Sequence, residues 1–297
     1  MSFIDTRVEA KNKCYFVVCC LFSAISGSDY GGAISVGGEG SCFKCDMCKF
    51  YKVSSIQYHA AIYCDSYSTN SSVEKCDISY CSAYDHSGIS LYSVNSVMSH
   101  VSAYRCHENV GGCWNIVLIH VYGTQESKYI NASITNANHH SGHIFHSATD
   151  VKPSSFFNIV NHRSTDFVFG MYSVPNGVSL SNVSIINNTV TWALIYLNLA
   201  YNAQLSSFVF ALNNGPLTDN RGYLPGSGDF INCIYDTASV QYGGGVQTQI
   251  NPIFNQNSPK THEVYDFDDQ QCEFRTYNPQ SFLRMSMKYV IMIPLIE

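Results

Sequence analysis

The cysteines most able to bind a metal ion lie in the pattern Cys42-x-x-Cys45-x-x-Cys48. This spacing suits zinc or an iron–sulfur cluster, although no fourth ligand is evident beside it. In an extended strand, Cys42 and Cys48 share one side and Cys45 points to the other. Cysteine also behaves as a small buried hydrophobe, so stacked interior cysteines are the simpler interpretation.

A second candidate is the stretch "HHSGHIFH", which holds His139, His140, His143 and His146. Four imidazoles could bind a transition metal if the turn at Ser141-Gly142 brings them together. The alternative is a polar corner whose imidazoles face solvent, with Asp150 the nearest carboxylate that could support a metal ligand. We favour the non-metal interpretation for both stretches, and the sequence predicts no metal and no cofactor.

The composition indicates a β protein. Only 13% of residues are charged, while the 21 tyrosines and 17 phenylalanines supply ample apolar area, which argues against disorder. Val, Ile, Tyr, Phe and Thr occur in short runs separated by Ser, Asn and Gly, as in strands. The net charge of −6 and the scattered Lys and Arg argue against a nucleic-acid partner. The 13 cysteines are an odd number and cannot all pair within one chain.

An internal repeat dominates the chain. Segments similar to "GGAISV" and "AAIYCD" recur at nearly equal steps, and their apolar anchors are Ile34, Ile62, Ile89, Val117, Ile144, Met171 and Ile195. Around each early anchor the polarity alternates with period two, so we expect these anchors to form one buried interior column. A second run between the anchors predicts that Cys14, Cys45 and Cys76 stack as reduced thiols.

A repeat unit of this kind without helical periodicity is one coil of a solenoid. The sequence therefore predicts an all-β fold, a right-handed parallel β-helix of about eight coils over residues 1–240, with an irregular tail at 241–297. Gly31 and Gly32 are predicted to form a tight corner, with Phe169-Gly170 among the equivalent slots. A phosphate-binding loop is disfavoured because a strand, not a helix, follows the glycines.

The segments "CYFVVCCLFSAISGSDYGGAI" and "CDMCKFYKVSS…AAIYC" resemble the repeats of polymorphic outer-membrane-protein-like and other right-handed, pectin-lyase-like β-helix surface proteins. The match is good over residues 14–113 and fades to bare periodicity by about residue 215. The resemblance implies a cell-surface or secreted role in contact or adhesion. It carries no catalytic residue to this chain.

The fold also hosts polysaccharide lyases and glycoside hydrolases, which need converging carboxylates. The central coils hold only Glu108, Glu126, Asp150 and Asp166, with no two in adjacent outward slots. The Asn-Thr-Asp, Asp-Asp and Gly-His-Gly motifs of pectin-degrading families are absent. We therefore predict a non-catalytic protein, with a polysaccharide-degrading enzyme as the alternative. A carboxylate pair about 5 to 10 Å apart in a groove would favour that alternative.

Three outward aromatic residues, Phe145, Tyr172 and Tyr196, are predicted to form a ladder on successive coils that binds a ligand. The expected partner is a carbohydrate or a host or cell-surface protein. The alternative is that the chain after residue 217 covers these rings.

The two ends leave alternatives open. Residues 14–25 could be the apolar core of a signal peptide or the first coil, and the step from Cys14 to Cys45 favours the coil. The segment "KYVIMIPLI" at 288–296 is too short to span a bilayer. It could be a terminal strand or part of a truncated hydrophobic segment, and membrane association is expected only in the second case.

Overall fold

The computed structural model describes residues 2–254 with short gaps, the longest at 109–116, 220–225 and 237–246. Within the described residues there are strands and no helix, and successive strands stack in parallel as a β-solenoid. The predicted all-β parallel solenoid is confirmed. Its right-handed winding and its number of coils stay predictions. Because no described helix exists, none of the described residues forms a helix able to cross a membrane.

The strands form three columns, each stacking segments from successive turns. The first column contains Val8–Lys11, Ile34–Gly37, Val117–Val121, His143–His146, Phe167–Tyr172, Ala193–Asn198 and Thr218–Asp219. The second contains Tyr15–Val18, Phe43–Asp46, Asp150–Val151, Ala203–Ser206, Gly228–Ile231 and Gln247–Ile250. The third contains Ser2–Ile4, Cys20–Ser23, Lys49–Tyr51, Val209–Ala211, Ile234–Tyr235 and Ile253–Phe254.

Several longer strands join these columns. Ile62–Ser79 and Ile89–Tyr104 run through all three, whereas Thr124–Ser133, Ser154–Val160 and Val178–Ile186 contribute to the second and third. Short strands form two further small sheets: Ser26–Gly27, Ser54–Ser55, Ser82–Ala83 and His107–Glu108 in one, and Asn136–Ala137, Arg163–Ser164 and Thr189–Val190 in the other. Parallel pairing continues past residue 240, as far as Phe254.

The interior column predicted from the repeat is correct for its first four anchors and for Ile195, and wrong for the two anchors between them. Ile34, Ile62, Ile89 and Val117 are in register, but Val117 then pairs with His143, and His143 with Phe169. The assignment of Ile144 and Met171 to this column is therefore wrong. The cause is a shortened step, because His143 follows Val117 more closely than Val117 follows Ile89, and the apolar pair Ile144-Phe145 offers two possible registers.

The core is built from equivalent side chains that lie above one another. Phe22 and Phe50, for example, are both fully buried and stack with their centroids 4.9 Å apart. Ile34, Ile62 and Ile89 are likewise fully buried. Such stacking gives each turn a close-packed neighbour, so burial is shared between turns and no turn has a core of its own.

One residue per turn adopts a left-handed φ between the second and third columns, and we call these residues the corner row. Its members are Cys19, Met47, Lys75, His100, Tyr129, Phe156, Asn182, Ser207, Asn232 and Asn251. A left-handed conformation costs a non-glycine residue about 1–2 kcal/mol. A hydrogen bond to the next turn offsets this cost, as when the Met47 N–H donates to the carbonyl of Glu74 over 3.1 Å.

The glycine corner before Ile34 is confirmed. Gly31 has φ +69°, and a Cβ on Gly31 would lie 2.3 Å from the carbonyl oxygen of Ile34. The next turn places His59 at the equivalent position, with φ 58°. Phe169-Gly170 is not such a corner, contrary to the prediction. Gly170 lies inside the strand Phe167–Tyr172, where the absence of a side chain makes room for the Phe167 ring.

A ladder of buried amides closes the later turns. The Asn188 side chain is fully buried, accepts the His162 N–H over 2.9 Å and donates to the Ile159 carbonyl over 2.9 Å. Asn213 repeats the pattern one turn later, since it donates to the Ile185 carbonyl over 2.7 Å and accepts the Asn188 N–H over 3.0 Å. Each amide thus satisfies backbone groups that would otherwise be buried without partners.

The predicted stack of Cys14, Cys45 and Cys76 as reduced thiols is wrong for Cys14 and in its register, whereas Cys45 and Cys76 are free thiols whose sulfurs lie 3.6 Å apart. Tyr15 pairs with Phe43, which places Cys14 opposite Cys42, and these two form a disulfide with Cα atoms 4.3 Å apart. The register pair Asp77–Lys49 places Cys76 beside Cys48, not beside Cys45. The physical reason is the corner row: the bend at Met47 lets Cys45 and Cys48 both point inward, which strict strand alternation does not allow.

Candidate functional site

The three predicted ligand residues do not form one ladder. Phe145 pairs with Met171, Tyr172 with Asn198 and Tyr196 with Gly170, so they occupy three different register positions. The shift at His143 moves Phe145 and Tyr172 out of the expected column, as it does Ile144 and Met171.

Tyr172 and Tyr196 are nevertheless neighbours in a packed group. Their ring centroids lie 5.0 Å apart, and Tyr196 stacks on Phe167 at 4.9 Å. Tyr196 is only 6% exposed and Phe167 is fully buried, while Tyr172 is partly buried. Burial, followed by the nearby Tyr196 and Asp166, raises the pKa of Tyr172. Most of this aromatic surface is therefore already in contact with protein.

A more open group of rings lies on the outer surface of the early turns, and we call it the aromatic patch. Tyr30 stacks on Tyr58 and on Tyr63, with centroid distances of 5.2 and 5.1 Å. Tyr84 meets Tyr58 edge-on at 6.4 Å, and Tyr92 meets Tyr63 at 5.9 Å. Tyr30 and Tyr84 are 40% and 47% exposed. These rings come from successive turns, so the patch extends along the solenoid.

The repeat itself positions this patch. Tyr30 precedes the Gly31 corner, and Tyr58 precedes the equivalent corner at His59, one repeat step later. Tyr63 and Tyr92 project from adjacent strands of the first column. Parallel in-register stacking places equivalent side chains about 4.8 Å apart, which is the spacing at which aromatic rings stack.

Polar groups sit between the rings of the aromatic patch. Buried His59 stacks on Tyr63 at 4.4 Å, and its Nδ1 lies 2.7 Å from Ser90 Oγ. The Tyr63 hydroxyl donates to Asp65 Oδ2 over 3.1 Å. Asp65 Oδ1 is buried and has no hydrogen-bond partner among the described residues. The patch thus combines flat apolar faces with hydrogen-bonding groups, the combination that sugars require from a binding surface.

A second aromatic surface lies at another corner. Tyr80 contacts Tyr51 and Tyr104 edge-on, at 5.6 and 5.7 Å. The Arg105 guanidinium lies 5.2 Å from the Tyr104 ring centroid, and the Lys52 ammonium 5.1 Å from that of Tyr51. These cation–π contacts hold positive charges against the rings on a surface that is partly exposed.

Two carboxylates lie side by side on the second strand column, in the early turns and not in the central coils. Glu74 pairs in register with Asp46, and Lys44 bonds to Glu74 over 3.2 Å. Asp46 Oδ1 is buried without a partner among the described residues. Burial raises the pKa of Asp46, with the Lys44 charge opposing the shift and the Glu74 charge adding to it.

Of the two stretches considered as metal sites, the side chains of the cysteine stretch are described and those of the histidine stretch are not. Cys42 is held in the disulfide with Cys14, while Cys45 and Cys48 are buried in the interior. Among the described residues, no group of three or more His, Cys, Asp or Glu side chains could hold a metal ion. His139 and His140 lie outside the described residues, and of His143 and His146 only the backbone is described.

Comparison of the chain with protein-family models, curated proteins and solved structures finds no match.

Sequence reasoning missed the aromatic patch, although a signal for it was present. Tyr30 and Tyr58 are separated by one step of the repeat, and each precedes a corner. The predicted aromatic ladder consists of residues that follow the anchors, whereas Tyr30 and Tyr58 precede the corners. The Asp46–Glu74 pair had the same signal, because its two members are separated by the same step as Tyr30 and Tyr58.

Proposed function

We propose that this chain is a non-catalytic β-solenoid that contacts carbohydrate through the aromatic patch. The observation that carries the proposal is the continuous set of stacked rings around Tyr30, Tyr58 and Tyr63, with exposed members on successive turns. Large exposed apolar patches on soluble domains usually have a partner. The Tyr63 hydroxyl and the partly buried Asp65 carboxylate would orient the hydroxyls of a sugar ring, while buried His59 and Ser90 support the Tyr63 ring from beneath.

The test is binding of the purified chain to an array of glycans, compared with a double variant, Tyr30→Ala with Tyr84→Ala. Each ring should contribute about 1 kcal/mol or more, so the double variant should bind at least roughly tenfold more weakly. Tyr201→Ala is the matched control, because Tyr201 is 39% exposed and takes no part in the patch. Equal binding by the double variant and the control would refute the role of the patch.

The predicted ligand contacts Phe145, Tyr172 and Tyr196 are a separate claim and need a variant of their own. Replacement of all three by Ser is expected to lower stability, since Tyr196 packs on Phe167. If that variant keeps its fold and loses binding while the Tyr30/Tyr84 double variant binds normally, the ligand lies on the later turns instead.

A cell-surface or secreted location, with a role in adhesion, fits the resemblance of residues 14–113 to pectin-lyase-like and polymorphic outer-membrane-protein-like repeats. The Cys14–Cys42 disulfide supports an oxidising compartment, where such bonds persist. Labelling of intact cells with a membrane-impermeant reagent, followed by recovery of this chain, tests the location. Recovery of the labelled chain only after lysis would contradict it.

A polysaccharide-degrading enzyme is the alternative function, and the Asp46–Glu74 pair favours it. In-register residues on neighbouring strands lie about 4.8 Å apart, close to the separation of the two carboxyl groups in retaining glycosidases. With its raised pKa, Asp46 would serve as the acid, and Glu74 would be the second carboxylate. Release of reducing ends from a panel of polysaccharides, abolished in both Asp46→Asn and Glu74→Gln, would establish this alternative and overturn the non-catalytic proposal.

A further inference from the structure

The interior of the early turns contains a cluster of thiols that no function above uses. Cys20, Cys45, Cys48 and Cys76 are all buried, and they come from three successive turns. The Cys45 and Cys76 sulfurs are 3.6 Å apart, in van der Waals contact. The two turns do not have to move relative to each other for these two side chains to meet.

The corner row explains why this pair meets. Met47 and Lys75 are equivalent corner residues of adjacent turns, with Cys45 two positions before the first and Cys76 directly after the second. Both side chains point inward from opposite sides of the bend, so they face each other diagonally between turns. Cys48, the register neighbour of Cys76, lies beside this pair and also contacts the preceding turn, where its sulfur lies 3.6 Å from the Val17 carbonyl oxygen.

We infer that Cys45 and Cys76 are a site of disulfide formation that joins these two turns covalently, with a small-molecule disulfide as the oxidant. The Cys14–Cys42 disulfide joins the preceding pair of turns, so the two bonds together would link three consecutive turns. A link of this kind restricts the unfolded chain by closing a loop, here between residues 31 positions apart.

The chemistry proceeds by two exchanges. The Cys76 thiolate attacks one sulfur of the oxidant, forming a mixed disulfide and releasing one small thiol. The Cys45 sulfur then attacks the Cys76 sulfur of the mixed disulfide, which releases the second small thiol and leaves the protein disulfide. Two protein thiols are oxidised, one disulfide is reduced, and the two protons are carried by the released thiols.

The surroundings assign these two roles. Burial raises the pKa of Cys45 well above its usual range. Burial also opposes ionisation of Cys76, but hydrogen bonds from the thiols of Cys45 and Cys48 outweigh it and lower the pKa of Cys76. Because the thiolate is the nucleophile, these directions favour Cys76 as the attacking residue and Cys45 as the resolving one, and the same bond forms in either order.

The test uses the purified full chain and the disulfide of mercaptoethanol. One sample is oxidised in the folded state. A second sample is reduced, unfolded and refolded in a buffer that contains the same disulfide and its thiol, so that the oxidant can reach the two thiols before they are buried. Free thiols are then alkylated under denaturing conditions, and the chain is digested with trypsin without reduction. We expect a cross-linked pair of peptides, 45–49 with 76–105, whose mass is lower than the sum of the two free peptides by two hydrogen atoms.

Each peptide contains two cysteines, so variants identify the bond. Cys48→Ser and Cys81→Ser should each keep the cross-link, whereas Cys45→Ser and Cys76→Ser should each lose it. Cys64→Ser is the control for replacing a buried thiol, because Cys64 is fully buried in the same region. This variant should keep the cross-link. Fragmentation of the wild-type cross-linked peptides gives the same assignment without depending on how any variant folds.

Two results would overturn the inference. One is full alkylation of Cys45 and Cys76 in both the oxidised and the refolded samples while Cys14–Cys42 remains bonded. The other is a cross-link from Cys76 to Cys48, which would mean that register neighbours and not the diagonal pair react.

Discussion

Replacing Gly32 by alanine tests how closely successive turns approach at the glycine corner. A Cβ at this position would lie 2.5 Å from the carbonyl oxygens of both Ala60 and Ser54, and 2.9 Å from Val53 Cγ1. Two of these atoms belong to the backbone and cannot rotate away. Relief therefore requires the turns to separate at the point where the Ala33 N–H donates to the Ala60 carbonyl over 3.1 Å.

The magnitude follows from these contacts. Inserting a carbon atom into a closely packed site costs about 1–3 kcal/mol, and weakening one ladder hydrogen bond adds about 1 kcal/mol. We therefore expect Gly32→Ala to lose about 3 kcal/mol of unfolding free energy. For a chain of this size that corresponds to a melting temperature lower by roughly 5 °C.

The control is Gly37→Ala in the same turn. The nearest atom to a Cβ on Gly37 is the Asp65 carbonyl oxygen at 4.0 Å, so alanine fits there and should change the stability by less than about 0.5 kcal/mol. Thermal melting of both variants, followed by circular dichroism, measures the difference. Melting temperatures of the two variants that agree within error would refute the close approach of the turns at Gly32.

Three further predictions concern the amide ladder, the carboxylate pair and the strand glycine. Asn188→Ala should cost about 2–4 kcal/mol in denaturant unfolding because it leaves buried backbone groups unpaired, whereas exposed Asn187→Ala should cost under about 1 kcal/mol; equal losses would contradict the ladder. The raised pKa of Asp46 means that the folded state binds the Asp46 proton more tightly than the unfolded state does. This binding stabilises the fold fully below the ordinary pKa of 3.8, and the stabilisation is lost as the pH rises through the folded pKa. Asp46→Asn should therefore melt higher than the parent chain at neutral pH and equally at acid pH, and the opposite trend would exclude burial as the dominant effect. Gly170→Ala should displace the Phe167 ring, which lies 2.6 Å from the added Cβ, and lower the melting temperature; near-ultraviolet circular dichroism should register the ring movement, and an unchanged spectrum would contradict the packing.

The fold could be predicted from the sequence because each turn repeats the same local pattern. The nearly equal steps from Ile34 to Val117 define the register, and alternation defines the buried face, so these four positions were assigned correctly. Prediction was wrong at Ile144, because two adjacent apolar residues satisfy the pattern equally well. Only pairing with the strand of the neighbouring turn decides between them.

The corner row was beyond sequence reasoning for a different reason. Its members in the early turns include Cys, Met, Lys, Tyr and Phe, residue types that carry no signal for a left-handed φ, and Asn, which does favour it, occurs in the row only at Asn182, Asn232 and Asn251. A cross-turn hydrogen bond from the corner N–H supports the conformation, as at Cys19, Met47 and Ser207. Since the orientation of Cys45 and Cys48 depends on that bend, strand alternation alone could not predict that both side chains point inward.

The corner row has a consequence for how such a surface can diversify. Its residues are held by their backbone N–H groups, so the side chains are free to differ, and His100, Tyr129 and Phe156 already stack outside the core at 4.5 and 4.8 Å. Mutation at one corner changes the chemistry displayed at one height of the solenoid and leaves the packing of the interior untouched. A lineage could thus revise its recognition surface one turn at a time, under selection from a changing partner, without passing through unfolded intermediates.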